Sequence, residues 1–288
     1  MASKSSRPSS IRTTGQAAAQ HAAPLQEVGL RRKGVASAVR SSILLFVIPG
    51  LPEICGGDDL AKVIAVAAGR GRIALGDGDI LVVAQKIVSK AEGRVVALSS
   101  VTPSARAVEL AKQLSVDARL VEVILGESRR VVRSERVLIV ETHHGFVCAN
   151  AGVDHSNVPG RDLVTLLPKN PDASARRLAA ALRKRTGKRV AVIISDTFGR
   201  PWRLGLTNVA IGAAGVPALI DLRETRDRQR KLLRATVLAV ADELAAAAGL
   251  LMGKAAGTPV VVIRGYKYRF VQEPAARIIR SAEEDLFR

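Results

Sequence analysis

Two short polar runs hold the residues of this chain best suited to chemistry. One is Asn150-Ala151-Gly152-Val153-Asp154-His155-Ser156-Asn157, and the other is Ser195-Asp196-Thr197-Phe198-Gly199-Arg200, which directly follows an apolar run at 190–194. Each sets an aspartate among small hydrogen-bonding residues where the chain leaves an expected strand. Carboxylate and hydroxyl oxygens suit hard cations, which in turn bind phosphate. Asp154 and Asp196 are therefore candidate metal ligands. Thr197 adds a hydroxyl for a second ion, and Asn150 and Asn157 add amide donors for a phosphate or a ribose. Aspartate and asparagine in turns also bond their own backbone, so the pattern alone leaves both readings open.

A second group, Gln85, Lys86, Ser89 and Lys90, stands where the apolar run at 80–84 turns outward. Lysines there can neutralise phosphate charge, or they can simply begin a solvated helix. His155, beside Asp154, is the candidate general base, with orientation of its loop as the alternative. His143 and His144 are adjacent, so on a strand they point to opposite faces and make a poor metal pair. Arg200 and Arg203 could bind substrate carboxylates or be surface charges. No common nucleotide motif is present. Gly249 to Lys254 is one residue short of a P-loop and lacks the Ser or Thr after the lysine. Gly69-Arg70-Gly71 lacks the third glycine of a dinucleotide fingerprint.

The elements that must position these groups alternate between strand and helix, which predicts a mixed α/β (α+β) class. Strands are expected at 43–48, 80–84, 137–140, 146–149, 189–194 and 260–263, with further sheet and loop over 206–220. Asp58-Asp59 should cap a helix over 60–68. Thr102-Pro103-Ser104 should open a long helix with its proline at an early position, followed by a short helix over 118–125. Helices are also expected from Ser174 to Thr186 and over 227–251.

The chain has 288 residues, 48% of them hydrophobic and only 3% aromatic, which supports a sizeable core built from Val, Leu, Ile and Ala. No run approaches the ~20 apolar residues of a membrane span. The net charge is +18, and residues 1–42 carry seven basic residues against Glu27. Such a field attracts polyanions, but the cations are scattered and few aromatics are available to stack on bases. Residues 1–42, rich in Ser, Arg, Ala and Gln, read as a disordered basic extension. They lack a secretory h-region, although their composition is also that of a transit peptide. Residues 43–288 are expected to form the catalytic domain, with two subdomains as an option. Cys55 and Cys148 make neither a disulfide framework nor a zinc site. They are expected to be small buried hydrophobes in a cytoplasmic, reducing setting.

In order and spacing, several segments resemble the coenzyme F420-0:L-glutamate ligase (F420 γ-glutamyl ligase) family, in its stand-alone form. They are Gly50-Leu51-Pro52-Glu53-Ile54, the stretch from Gly78 to Gly93, both polar runs, Leu250-Leu251-Met252-Gly253, and Val261-Val262-Ile263-Arg264-Gly265. The resemblance covers about Ile43 to Tyr266. It implies a family-specific mixed α/β fold forming an intertwined homodimer. It also implies GTP-driven, stepwise addition of L-glutamate to the deazaflavin F420-0, assisted by two divalent ions (Mg or Mn) and a K ion. Carried over by position, Asp154, Asp196 and Thr197 match metal ligands. Leu51, Pro52, Glu53, Ile54, Gln85, Lys86, Lys90 and Asn157 match GTP contacts. Gln85-Lys86 stands where small hydroxyl residues also occur in the family, and Lys254 where an acidic residue can occur. Two alternatives remain: a ligase of the same scaffold acting on another acid acceptor, and a basic nucleic-acid-binding module.

Overall fold

The run Ile80-Leu81-Val82-Val83-Ala84 is apolar on both faces, as a strand covered from both sides must be. In the computed structural model it lies at the centre of a five-stranded sheet. The structure describes residues 42–156, 160, 162–253 and 256–285. The expected basic extension falls on residues 1–42 and, apart from Ser42, lies outside the described residues.

In chain order the elements are β1 (Leu44–Val47), α1 (Leu60–Arg70), β2 (Ile80–Ala84), α2 (Gln85–Ala91), β3 (Val95–Ala97), α3 (Ala105–Leu114), α4 (Ala118–Gly126), β4 (Ser128–Arg133), β5 (Ile139–Thr142) and β6 (Val147–Ala149). There follow β7 (Leu163–Thr165), α5 (Pro171–Thr186), β8 (Ala191–Arg200), β9 (Arg203–Ala214), β10 (Ile220–Asp221), β11 (Val237–Leu238), α6 (Val240–Met252) and β12 (Val260–Arg264). The main sheet has the order β1-β12-β2-β8-β9, antiparallel throughout except for the parallel pair β2–β8. This is the mixed α/β class expected from the sequence.

Strand alternation sorts the core. Leu81, Val83, Val192, Ile194 and Val262 pack with Ile64 of α1 and with Leu178 and Leu182 of α5. Their neighbours Ile80, Val82, Ala191, Ile193 and Val261 pack with Ala241, Leu244, Ala245 and Ala248 of α6. A third cluster joins α3 and α4 to β5 through Ala107, Val121, Ile124 and Val140. Asp59 caps α1 by accepting from the Lys62 N–H, and Asn170 caps α5 ahead of Pro171.

Two close approaches fix the sheet. At Gly212 of β9 a side chain would meet the Pro171 carbonyl at 2.5 Å, so the first turn of α5 rests directly on the strand. Asp172 of that turn accepts from the N–H groups of both Ala213 and Ala275. At the start of β2, buried Asp79 accepts two hydrogen bonds from the Arg264 guanidinium, at 2.8 and 2.6 Å, and one from the Gly76 N–H. This pairing ties β2 to β12.

Several expectations need correction. The helix expected over 227–251 begins only at Val240, and β10 and β11 form a hairpin before it. Arg226, Arg230 and Arg234 would have stacked like charges at four-residue spacing on a helix. Asp227 instead accepts from the Gln229 and Lys231 N–H groups and closes a turn. The second polar run does not follow a strand but lies within β8, which runs on to Arg200 paired with β9. Pro103 precedes the cap Ser104 rather than entering α3. Strands β3, β4 and β7 were not expected. Cys148 is buried, but Cys55 is exposed. Among the described residues no helix is long and apolar enough to cross a membrane.

Candidate active site

The site lies at the C-terminal ends of the parallel strands β2 and β8, where a mixed sheet opens a crevice. β2 delivers Ala84 and runs directly into α2, whose first turn presents Gln85 and Lys86. β8 delivers Ser195, Asp196 and Thr197. The rigid segment Leu51-Pro52-Glu53-Ile54 closes one side. Asn208 of β9, the end of α6 (Gly249, Met252, Gly253) and Gly257-Thr258-Pro259 close the other. Together with Ile87 and Lys90 they line a cleft of about 360 Å³. The structure thus brings together Leu51, Pro52, Glu53, Ile54, Gln85, Lys86, Lys90, Asp196 and Thr197, nine of the residues selected from the sequence.

The wall formed by α2 is unusually polar for its burial. Gln85 is only 1% exposed. Its Oε1 accepts from the Ser89 hydroxyl at 2.7 Å, while its Nε2 has no hydrogen-bond partner among the described residues. A buried amide without an acceptor costs about 1–3 kcal/mol. Lys90 is 6% exposed and is ion-paired with Glu53 of the opposite segment. These lysines start a helix, but one that faces the cleft rather than solvent.

Asp154 reaches the site through Lys86. Its backbone bridges to Thr165 in both directions, at 3.1 and 2.9 Å, and its Oδ2 lies 2.8 Å from the Lys86 ammonium. The same ammonium donates to the backbone carbonyl and the hydroxyl of Ser156. Burial pushes the Asp154 carboxyl up, but Lys86 and the Ser156 N–H outweigh it and hold it below the usual value. It is therefore an ionised carboxylate poised at the rim. Asp196 accepts from the Thr197 N–H at 2.8 Å. Burial, with the Asp196 charge adding to it, pushes the Cys148 thiol up to about 12. Asp196 therefore lies near β6, the strand that leads into the Asp154 run.

The donors fit hard divalent ions in one particular way. Among the described residues no three His, Cys, Asp or Glu side chains cluster tightly enough to hold a metal alone. Magnesium sites commonly use one or two carboxylates and complete the shell with water and substrate phosphate, which is what Asp196 in the cleft and Asp154 at its rim can supply. Asp196 and Thr197 both line the cleft, beside a register shift in the β8–β9 ladder, so their carboxylate and hydroxyl would be available to hard ions held there.

Other selected residues fall elsewhere. His155 is exposed beside Asp154 and does not line the cleft. Asn150 sits in a left-handed turn away from the cleft lining. Arg200 and Arg203 flank the exposed β8–β9 turn. Asn157 and Lys254 lie outside the described residues. Asn208 was missed. Its Nδ2 donates to the Ser195 hydroxyl at 3.3 Å, and a side chain at Gly249 would meet its Oδ1 at 2.6 Å. The available signal was an asparagine inside an apolar strand, paired three residues after Gly205. Thr258 was also missed. Its hydroxyl donates to the Met252 carbonyl at 2.7 Å and fixes the end of α6.

Known proteins show the same organisation in sequence. The F420-0:Gamma-glutamyl ligase family model matches residues 50–265. The coenzyme F420:L-glutamate ligase of Methanothermobacter thermautotrophicus is 46% identical over 250 residues, covering 85% of this chain and 99% of that protein. The protein of the same name from Methanopyrus kandleri is 48% identical over 247 residues, covering 84% and 96%. That of Archaeoglobus fulgidus is 43% identical over 245 residues, covering 85% and 96%. The matched region contains every residue that lines the cleft, and the chain belongs to the F420-0:gamma-glutamyl ligase family.

Proposed function

We propose that this protein joins L-glutamate to the side-chain carboxylate of coenzyme F420-0, and then to the product of that step, using GTP through an acyl phosphate. The observation that carries the proposal is the cleft at the ends of β2 and β8, where Lys86, Lys90, Asp196, Thr197 and the orphaned Gln85 amide converge, with Asp154 joined to it through Lys86. The likeness to coenzyme F420:L-glutamate ligases, at 46% and 48% identity over 85% and 84% of this chain, supports the choice of acceptor and amino acid.

A carboxylate resists attack by an amine because its charge repels the nucleophile and oxide is a poor leaving group. An acceptor carboxylate oxygen attacks the GTP γ-phosphorus, the bond to the β-phosphate oxygen breaks, and GDP leaves. The glutamate amine then attacks the acyl carbon, loses a proton, and expels inorganic phosphate as the amide forms. Lys86 and Lys90 hold positive charge against the phosphates without a P-loop. Gln85 Nε2 offers a hydrogen bond to an acceptor on the nucleotide. Divalent Mg or Mn held by Asp154, Asp196 and Thr197 would neutralise charge developing on the transferred phosphoryl group. The family's K ion belongs to the same proposal, with no residues assigned to it.

We also propose a homodimer. Beyond the sheet β8 and β9 continue as a two-stranded ribbon, which is marginal in water on its own. Its Leu204 is 100% exposed and Trp202 83% exposed. A second copy is the occupant in keeping with self-complementary assembly.

The deciding experiment combines the purified chain with GTP, Mn, F420-0 and glutamate. The expected result is GDP, phosphate and a product heavier by one glutamyl residue. Folded protein that yields neither GDP nor glutamylated product overturns the reading. Product formed only from a different acid acceptor would move the assignment to another ligase on this scaffold.

A further inference from the structure

We propose a second anion site, remote from the reaction, that binds a compact polyphosphate on the outer face of α5. A cleft of about 540 Å³ is lined there by Arg176, Arg183, Lys184, Arg189 and Phe270 over a floor of small apolar residues, with no acidic side chain in the lining. Arg176, Ala179, Ala180 and Arg183 follow the three- and four-residue spacing of one helix face. Arg189 enters from the start of β8, with its guanidinium 4.3 Å from the centre of the Phe270 ring. The candidate active site lies farther along that strand, at Ser195–Thr197. Ala191 to Asp196 alone spans roughly 17 Å at the usual rise per residue, and the two clefts share no lining residue.

The pairing pattern on α5 singles out this face. Arg177 is ion-paired with Glu92 and Arg185 with Asp59. Arg176, Arg183, Lys184 and Arg189 form no ion pair among the described residues. Cations in a final turn complement the negative end of a helix, which accounts for Arg183 and Lys184. It does not account for Arg176, two turns earlier, or for Arg189, which is on another element. Four unneutralised cations around one concavity repel one another and are relieved by a multiply charged anion. Three of them carry planar forks that match phosphate oxygens. The cleft is open to solvent but of small-ligand size, and one face of Phe270 is already covered by Arg189. A short polyphosphate, free or as part of a nucleotide, therefore fits better than an extended nucleic-acid strand.

The test is titration calorimetry with inorganic tripolyphosphate at low salt, on the full chain and on three variants with matched thermal melts. Tripolyphosphate affinity should be unchanged in Lys86→Met, which weakens the candidate nucleotide cleft and leaves α5 untouched. It should weaken at least about tenfold in Arg183→Ala/Lys184→Ala, as the loss of two charge-assisted contacts implies. Arg176→Ala leaves the last turn of α5 intact and should weaken binding in the same direction, so the test stands even if the double variant unfolds. A non-hydrolysable nucleoside triphosphate titrated into Lys86→Met separates the sources, and equal or tighter affinity than tripolyphosphate supports the site. No binding by the unaltered chain overturns the proposal. So does binding lost in Lys86→Met but kept in the α5 variants, or binding of single-stranded oligonucleotide without tripolyphosphate.

Discussion

The Lys86 ammonium lies 2.8 Å from the Asp154 carboxylate, and this contact joins the cleft to a loop that does not itself line it. Lys86 stands on the first turn of α2, directly after β2. Asp154 is held by its two-way backbone bridge to Thr165. The pair is partly exposed, so its worth to stability is small. Its value is positional, because it sets a basic and an acidic group side by side at the rim.

Lys86→Met should therefore separate function from folding. The stability change should stay within about 1 kcal/mol, as for exposed ion pairs, while the KM for GTP should rise about tenfold or more for loss of a charge-assisted contact. Urea unfolding and steady-state kinetics on the same preparation check both. A large stability loss with unchanged KM would make the contact merely structural.

Asp196→Asn keeps the shape of the side chain and its carbonyl acceptor but removes the charge. Turnover should fall at least about a hundredfold if the carboxylate holds a divalent ion, with the melting temperature nearly unchanged. Near-normal turnover at saturating Mn would remove Asp196 from the metal role.

The lowered Asp154 carboxyl makes a signed prediction about acid. Its folded value lies below the ordinary 3.8, so its contribution is fully present above that pH and is lost as pH falls through the folded value. Asp154→Asn should flatten the acid limb of the stability curve below about pH 4. A limb of unchanged steepness would show that other carboxylates dominate acid unfolding.

Two glycines should respond in opposite directions to alanine. Gly69 lies in α1 with open space around it, so Gly69→Ala should stabilise by about 0.5–1 kcal/mol. Gly212→Ala drives a methyl into the Pro171 carbonyl and should cost about 2–3 kcal/mol. That corresponds to a lowering of the melting temperature by roughly 4–12 °C. Calorimetry on both variants decides.

Asp79→Ala should cost about 1–3 kcal/mol, because it removes a buried acceptor that binds the half-exposed Arg264 guanidinium twice and the Gly76 N–H once. Denaturant unfolding measures this. A cost under 1 kcal/mol would mean that water replaces the carboxylate.

The legible parts of this protein were those decided by neighbours in sequence. The apolar runs at 80–84 and 260–263 read as buried strands, and Asp59 marked a helix start through local hydrogen bonding, whereas the helix expected from Ser174 begins at Pro171 with Asn170 as its cap. Asp196 stood out because it sits among small hydrogen-bonding residues directly after an apolar run. What stayed hidden depended on distant pairing. β8 runs through its polar residues because β9 supplies a ladder for them, and no local signal announces that partner. The segment at 227–239 had the length of a helix but not its charge pattern. Asn208 joined the site only through folding, which set it against Ser195 and Gly249. His155 looked apt because it adjoins Asp154 in sequence, yet the turn there points it away from the cleft lining.

Strand β8 runs unbroken, but its ladder to β9 shifts register between Ile194 and Ser195 and again between Phe198 and Arg200. Its inner end is clamped in the core between β2 and β9, its middle carries Asp196 and Thr197, and its outer end reaches the exposed turn at Trp202. A register shift bends a strand and sharpens its twist, so the kink beside Ser195, more than the strand's overall direction, aims Asp196 and Thr197 into the cleft.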